Sequence, residues 1–132
     1  METTKTQLKT PTQSASQIIK LSEKSKDFFS LVFQVVKEIP HGRVTTYGAI
    51  ANYLGARRAS RMVGWAINAS HRQGDIPAHR VVNRIGLLTG KANFNDPDEM
   101  ENKLNSEGVQ ILNSRVVDFN VLFWDPMKEL NL

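Results

Sequence analysis

At 132 residues, 40% hydrophobic and 23% charged, the chain has the size and make-up of one globular domain. It has no cysteine, which excludes disulfides, thiolate metal sites and any cysteine nucleophile. The net charge of +4 is unevenly spread: between residues 41 and 91, seven Arg and Lys91 stand against the single acid Asp75, a net +7. Such a segment is the footprint of a nucleic-acid surface or of a solvated basic face.

Residues 1–24, rich in Thr, Gln, Ser and Lys, are expected to form a flexible tail whose positive charge would add non-specific DNA affinity. The tail lacks the apolar stretch of a secretory signal, and no apolar run approaches the roughly 20 residues of a membrane span. A cytoplasmic location is therefore expected (nucleoid-associated if the source is bacterial), with no membrane partner.

From Asp27 to Ile39 the residues Phe29, Val32, Phe33, Val36 and Ile39 fall at helical spacing, and Pro40 and Gly42 end the run. Thr45 or Thr46 can cap a short helix over Tyr47–Leu54, closed by Gly55. A third helix is expected over Arg58–Ala69, with Met62, Val63, Trp65 and Ala66 available for packing. Two short helices joined by a tight glycine-containing turn make a helix-turn-helix.

Further on, Val81-Val82 and Ile85-Gly86-Leu87-Leu88 read as a hairpin, or wing, around Asn83-Arg84. Asp96 and Pro97 are placed to open a helix through Ser106 as N-cap and first-turn proline, and Gly108 ends it. The expected fold is mainly α: a winged helix-turn-helix DNA-binding domain over 25–112 with a short β wing, followed by a C-terminal extension, 113–132, that packs on the core. Trp65 and Trp124 are read as core.

The string Gly42-Arg-Val-Thr-Thr-Tyr-Gly-Ala-Ile-Ala51 resembles the opening helix of the O6-alkylguanine-DNA alkyltransferase C-terminal domain. Arg61-Met-Val-Gly64 is similar to that family's recognition helix, and Ile76-Pro-Ala-His-Arg-Val81 resembles its active-site motif Pro-Cys-His-Arg-Val. Glu107-Gly108 resembles the Glu-Gly after its last helix. The four blocks keep the family's order and spacing across residues 27–112.

One departure decides what the resemblance implies. The acceptor cysteine is Ala78 here, and alkyl transfer needs a thiolate to attack the carbon on O6. The chain is thus identified as a member of the alkyltransferase-like group, which binds O6-alkylguanine and flags it for nucleotide excision repair. Many of that group carry Trp where Ala78 stands, and the smaller side chain predicts tolerance of bulky adducts.

The resemblance implies roles residue by residue. Arg61 fills the gap left by a flipped guanine, and Tyr47 pushes a phosphate to rotate the nucleotide. Thr46, Arg57, Ala59, Ser60, Met62 and Gly64 complete the DNA-binding set, with Met62 either a wedge or core. Arg58 and Arg84 are phosphate-contact candidates on charge and position alone.

Tyr47, Pro77, Ala78, His79, Arg80, Val81, Phe94 and Glu107 form the lesion pocket, with the backbone near Ala78 and Val81 free to read the guanine edge. His79 and Glu107, the relay of active members, are left a structural role, and Arg80 an ion pair at the core edge. Ser70 stands where active members use Asn to join two helices, and Asn68 is its possible substitute.

No cofactor or metal is expected, because His41, His71 and His79 lack ligand spacing. Double-stranded DNA carrying O6-alkylguanine is the expected partner of a monomeric chain, with nucleotide excision repair proteins downstream. Two other readings stay open: a transferase inactivated by replacement of its cysteine with alanine, and a helix-turn-helix regulator reading sequence from the major groove. Small residues on the recognition helix disfavour the regulator.

Overall fold

The computed structural model describes residues 15–130. The first helix, α1, spans Ala15–Lys37. It begins well before the expected Asp27, so the described part of the expected tail, from residue 15, is helical; residues 1–14 lie outside the described residues. The described residues up to Ser30 and those from Leu31 onward form separate compact units. From Leu31 on, α1 buries Val32, Val35 and Val36. The helix stops at Lys37, short of the expected Ile39, which is buried in the turn that follows.

Strand β1, Thr45–Thr46, leads into α2, Tyr47–Tyr53. The Thr46 hydroxyl accepts a hydrogen bond from Ala49 N at 3.0 Å, taking up one of the unpaired donors of the first helical turn. Gly55, at φ +74°, turns the chain, and α3 follows over Ser60–Ser70. This helix starts two residues later than the expected Arg58, because Arg57 and Arg58 belong to the turn.

On α3 the buried residues are Val63, Ala66, Ile67 and Ser70, the i, i+3, i+4, i+7 stripe of a helix with one face inward. Trp65 lies off that stripe and is 58% exposed, which corrects its reading as core. Trp124, at 3% exposure, is core.

The Ala78–Arg80 segment is a single 3-10 turn, and β2, Val81–Val82, pairs in parallel with β1 in the register Thr45 to Val81 and Thr46 to Val82. The expected hairpin of Val81-Val82 with Leu87-Leu88 is therefore not a strand pair. Asn83 organises the turn instead, its Oδ1 accepting from Ile85 N at 3.0 Å and Leu87 N at 2.8 Å. Leu87 then bridges antiparallel to Arg115.

Helix α4 spans Glu99–Ser106. Asp96 and Pro97 precede it in a turn that Asp96 closes by accepting from Asp98 N, so Pro97 is not in the first helical turn. Strands β3, Ile111–Leu112, and β4, Arg115–Val116, form an antiparallel pair, and short helices α5, Phe119–Leu122, and α6, Pro126–Glu129, end the described chain.

Val44, Val82, Leu88, Met100, Leu104, Val109 and Val116 make one buried cluster. Trp124 N donates to Val44 O at 2.7 Å, tying the C-terminal segment to the strand that enters α2. From Leu31 on, the described chain is a mainly helical winged helix-turn-helix.

Candidate nucleic-acid interface

The turn before α3 and the helix's first turn expose Arg57, Arg58, Ser60 and Arg61. Among the described residues none of these arginines has an acidic partner, so the alternative reading of Arg61 as half of a surface ion pair finds no support. Ala59 and Met62 are half-buried beside them.

Gly64 stands inside the helix, where glycine costs about 0.5–1 kcal/mol relative to alanine. A Cβ there would meet nothing within 4 Å, so no internal contact requires the glycine. A small residue without an internal reason leaves room for another molecule to approach the helix.

Tyr47 opens α2 and is half-buried, with its hydroxyl against Gly90: a Cβ on Gly90 would lie 3.1 Å from that oxygen. Thr46, at 8% exposure, has its hydroxyl engaged by the cap, so it supports α2 rather than offering a free donor.

A cavity of about 130 Å³ lies among the C-terminal end of α3, the Ala78–Arg80 turn and the segment from Asn93 to Lys103. Of the expected pocket residues it is lined by Ala78, His79 and Phe94; Tyr47, Pro77, Arg80, Val81 and Glu107 do not line it. Ser70, His71, Glu99 and Lys103 are lining residues that sequence reasoning did not assign to the pocket.

The Phe94 ring meets His71 edge-on, with centroids 4.4 Å apart and planes at 77°. Lys103 Nζ lies 5.8 Å from the Phe94 centroid while it bonds Glu99 at 3.0 Å. The i, i+4 spacing of Glu99 and Lys103 on a helix was a visible signal for that pair.

Behind the cavity, Glu107 collects the donors. His79 Nε2 lies 2.6 Å from its Oε2, Arg80 binds it through Nε and Nη2, and Gly42 N donates to Oε1 at 3.0 Å. Arg80 Nη1 also donates to Ile39 O at 2.8 Å. Gly42 takes φ +83° to aim its N–H, a conformation that favours glycine. The expected structural roles of His79, Glu107 and Arg80 meet in this one direct network.

Burial pushes the Glu107 carboxyl up, but hydrogen bonds from Arg80, Gly42 and His79 outweigh it and hold the group at about 2. For His79 burial is the larger influence and lowers its pKa against the hydrogen bond and charge of Glu107. The Glu107 charge is already matched by Arg80, so the imidazole is neutral near pH 7. Its Nε2–H donates to Glu107 and Nδ1 is left as an acceptor.

Two expectations about this region change. Ala78 N donates to Ile76 O and Val81 N to Ala78 O, so these N–H groups are not free to read a base edge. Ser70 is buried and its hydroxyl donates to Ile67 O at 2.5 Å within its own helix, so its hydrogen bond does not join two helices; Asn68 is exposed.

Residues 27–109 match the family described as 6-O-methylguanine DNA methyltransferase, DNA binding domain. Alkyltransferase-like protein 1 of Schizosaccharomyces pombe is 32% identical over 104 residues, covering 76% of this chain and 96% of that protein. The DNA base-flipping protein of Escherichia coli is 38% identical over 105 residues, covering 78% of each. Among solved structures, S. pombe Atl1 in complex with damaged DNA containing O6-carboxymethylguanine aligns with a TM-score of 0.68 at 32% identity, over 76% of this chain and 97% of that one.

Proposed function

We propose, from the premise that the chain belongs to the 6-O-methylguanine DNA methyltransferase DNA-binding family and to its alkyltransferase-like members, that it recognises O6-alkylguanine in duplex DNA by flipping the base, without removing the alkyl group. The observation that carries this reading is Ala78, 4% exposed in the cavity wall beside an intact His79–Glu107–Arg80 network. The framework of an alkyl-transfer site is present, and a methyl group stands where its nucleophile would be. With no lone pair on that side chain and no cysteine in the chain, binding is what the site can do.

Extruding a base costs about a few kcal/mol for lost stacking and pairing. Arg61, exposed and without an acidic partner among the described residues, supplies a planar cation to occupy the vacated stack. Tyr47 stands at the start of α2 to press on the neighbouring phosphate. Arg57, Ala59, Ser60, Met62 and Gly64 complete the DNA-facing set on the turn before α3 and its first turns, and Thr46 supports Tyr47 as the cap of α2. Tyr47, Pro77, Arg80, Val81 and Glu107 support the pocket from outside its lining, while Ala78, His79 and Phe94 touch the base. Because nothing is repaired at this site, the bound complex serves as a flag for nucleotide excision repair proteins.

The test is an equilibrium titration, at fixed salt, of a short duplex holding one O6-methylguanine against the same duplex with guanine. The expected result is a preference for the lesion of about tenfold or more, corresponding to about 1.4 kcal/mol, which Arg61→Ala abolishes. Equal, strongly salt-dependent binding to both duplexes would leave only a basic DNA-associated domain.

A further inference from the structure

On α3 the residue most at odds with ordinary packing is Trp65, 58% exposed although tryptophan is among the most buried side chains on average. It shares one groove with Ala59 and Met62, and the groove carries Arg57, Arg58 and Arg61 with no acid among its lining residues. An apolar floor edged by three cations lacking acidic partners among the described residues suits an occupant with flat apolar walls between rows of negative charge. The minor groove of a DNA duplex has that form, with deoxyribose walls between two phosphate rows.

Position on the helix gives the same answer. Arg61 and Trp65 are four residues apart, so they neighbour each other on one helix face, about 6 Å apart along the axis. Whatever Arg61 enters, Trp65 meets about one turn further on.

We propose that Trp65 packs against the sugar walls of the minor groove beside the Arg61 position, and that it strengthens binding to duplex DNA whether or not a lesion is present. The inference rests on the proposed function only in taking α3 as the DNA-facing helix. It assigns Trp65 a part in affinity, separate from the cavity that selects the base.

The full chain carries its own probe, since it has two tryptophans and the other, Trp124, is 3% exposed. Adding unmodified duplex is expected to shield Trp65 emission from a soluble quencher. Trp65→Ala is expected to weaken binding to unmodified and O6-methylguanine duplexes by the same factor, about tenfold by comparison with other aromatic contacts to nucleic acid. The ratio between the two duplexes and the thermal midpoint stay as they were, and Trp65→Phe recovers most of the loss.

Unshielded emission together with unchanged affinity in Trp65→Ala would overturn the proposal. So would a concentration-dependent dimer that Trp65→Ala abolishes while DNA affinity stays intact, since the occupant would then be a second copy. If the wild-type chain shows no lesion preference yet Trp65→Ala weakens both complexes, the lesion reading alone fails. If lesion preference holds and Trp65→Ala binds normally, this inference alone fails.

Discussion

Arg80 holds Glu107 side-on, with Nη2 2.8 Å from Oε2 and Nε 3.0 Å from Oε1, and the Glu107 side chain is only 7% exposed. A paired guanidinium and carboxylate at such low exposure cost little while together and a great deal when one is removed. Glu107→Ala strips the acceptor from Arg80, His79 and Gly42 at once, and breaking a buried pair in this way costs about 3–5 kcal/mol. Urea unfolding of Glu107→Ala, Arg80→Met and the double variant tests the coupling. The double variant is expected to be less destabilised than the sum of the two, because it leaves neither charge orphaned. Strict additivity would show that the two groups do not depend on each other.

The same network fixes how stability responds to acid. His79 has its pKa lowered from 6.5 by burial, so the native state takes up its proton later than the unfolded chain does. Its contribution is full above pH 6.5 and is lost as pH falls below that value. Glu107, lowered from 4.5 to about 2, contributes fully above 4.5 and loses that contribution as pH falls toward 2. Both groups bind fewer protons in the native state, so stability rises with pH through both windows. His71, also lowered by burial, titrates in the upper window. Urea midpoints measured from pH 7 downward are expected to fall in two stages, and His79→Gln should flatten the first stage while leaving the second. An unchanged first stage in that variant would assign the upper window to His71.

Part of this site is legible in the sequence, and the reasons are local: Ala78, His79 and Phe94 line the cavity as expected. Thr46 before an apolar-periodic run and Gly55 after it mark the ends of α2 through capping and turn chemistry. The relation of His79 to Glu107 follows from the family resemblance, whereas nothing in the sequence names Glu107 as the acid that Arg80 pairs with. The reading of Trp65 as core fails because its aromatic character does not fix the helical phase, and position 65 lies off the buried stripe. With Val63, Ala66, Ile67 and Ser70 facing inward, helical geometry places Trp65 on the outer face.

The parallel pairing of Thr45–Thr46 with Val81–Val82 had no such signal. Two-residue strands show no alternation, and their partner lies far away in the chain. The apolar run Val81-Val82 next to Ile85-Gly-Leu-Leu88 looked like a hairpin, yet Asn83 closes that turn with its own side chain.

If the flipped base enters this cavity as proposed, Ala78 sets the size of adduct it accepts. It is 4% exposed and lines a cavity of about 130 Å³, so a larger side chain there must displace either the walls or the ligand. Overfilling a packed site costs about 1–3 kcal/mol. Ala78→Trp is therefore expected to weaken binding of a duplex carrying a bulky O6 adduct, such as O6-benzylguanine, by about tenfold. The O6-methylguanine complex should lose less. Paired titrations of the two lesions with Ala78→Val as an intermediate size give the trend, and equal losses for both adducts at every size would refute it.

Gly64 separates the needs of folding from those of binding. Its position inside α3 has space for a Cβ, with nothing within 4 Å, and its φ is not in the left-handed region. Alanine there costs no strain and removes the entropic penalty of a helical glycine, so Gly64→Ala is expected to raise stability by about 0.5–1 kcal/mol. If the vacant space exists so that DNA can approach α3, the same methyl group should weaken duplex binding, and Gly64→Leu should weaken it further without unfolding the domain. Thermal melts and duplex titrations on the same preparations measure both effects. A more stable variant that binds DNA as well as the wild type would mean that the DNA backbone does not come close to this part of the helix, and would move the contact surface toward Arg57 and Arg58.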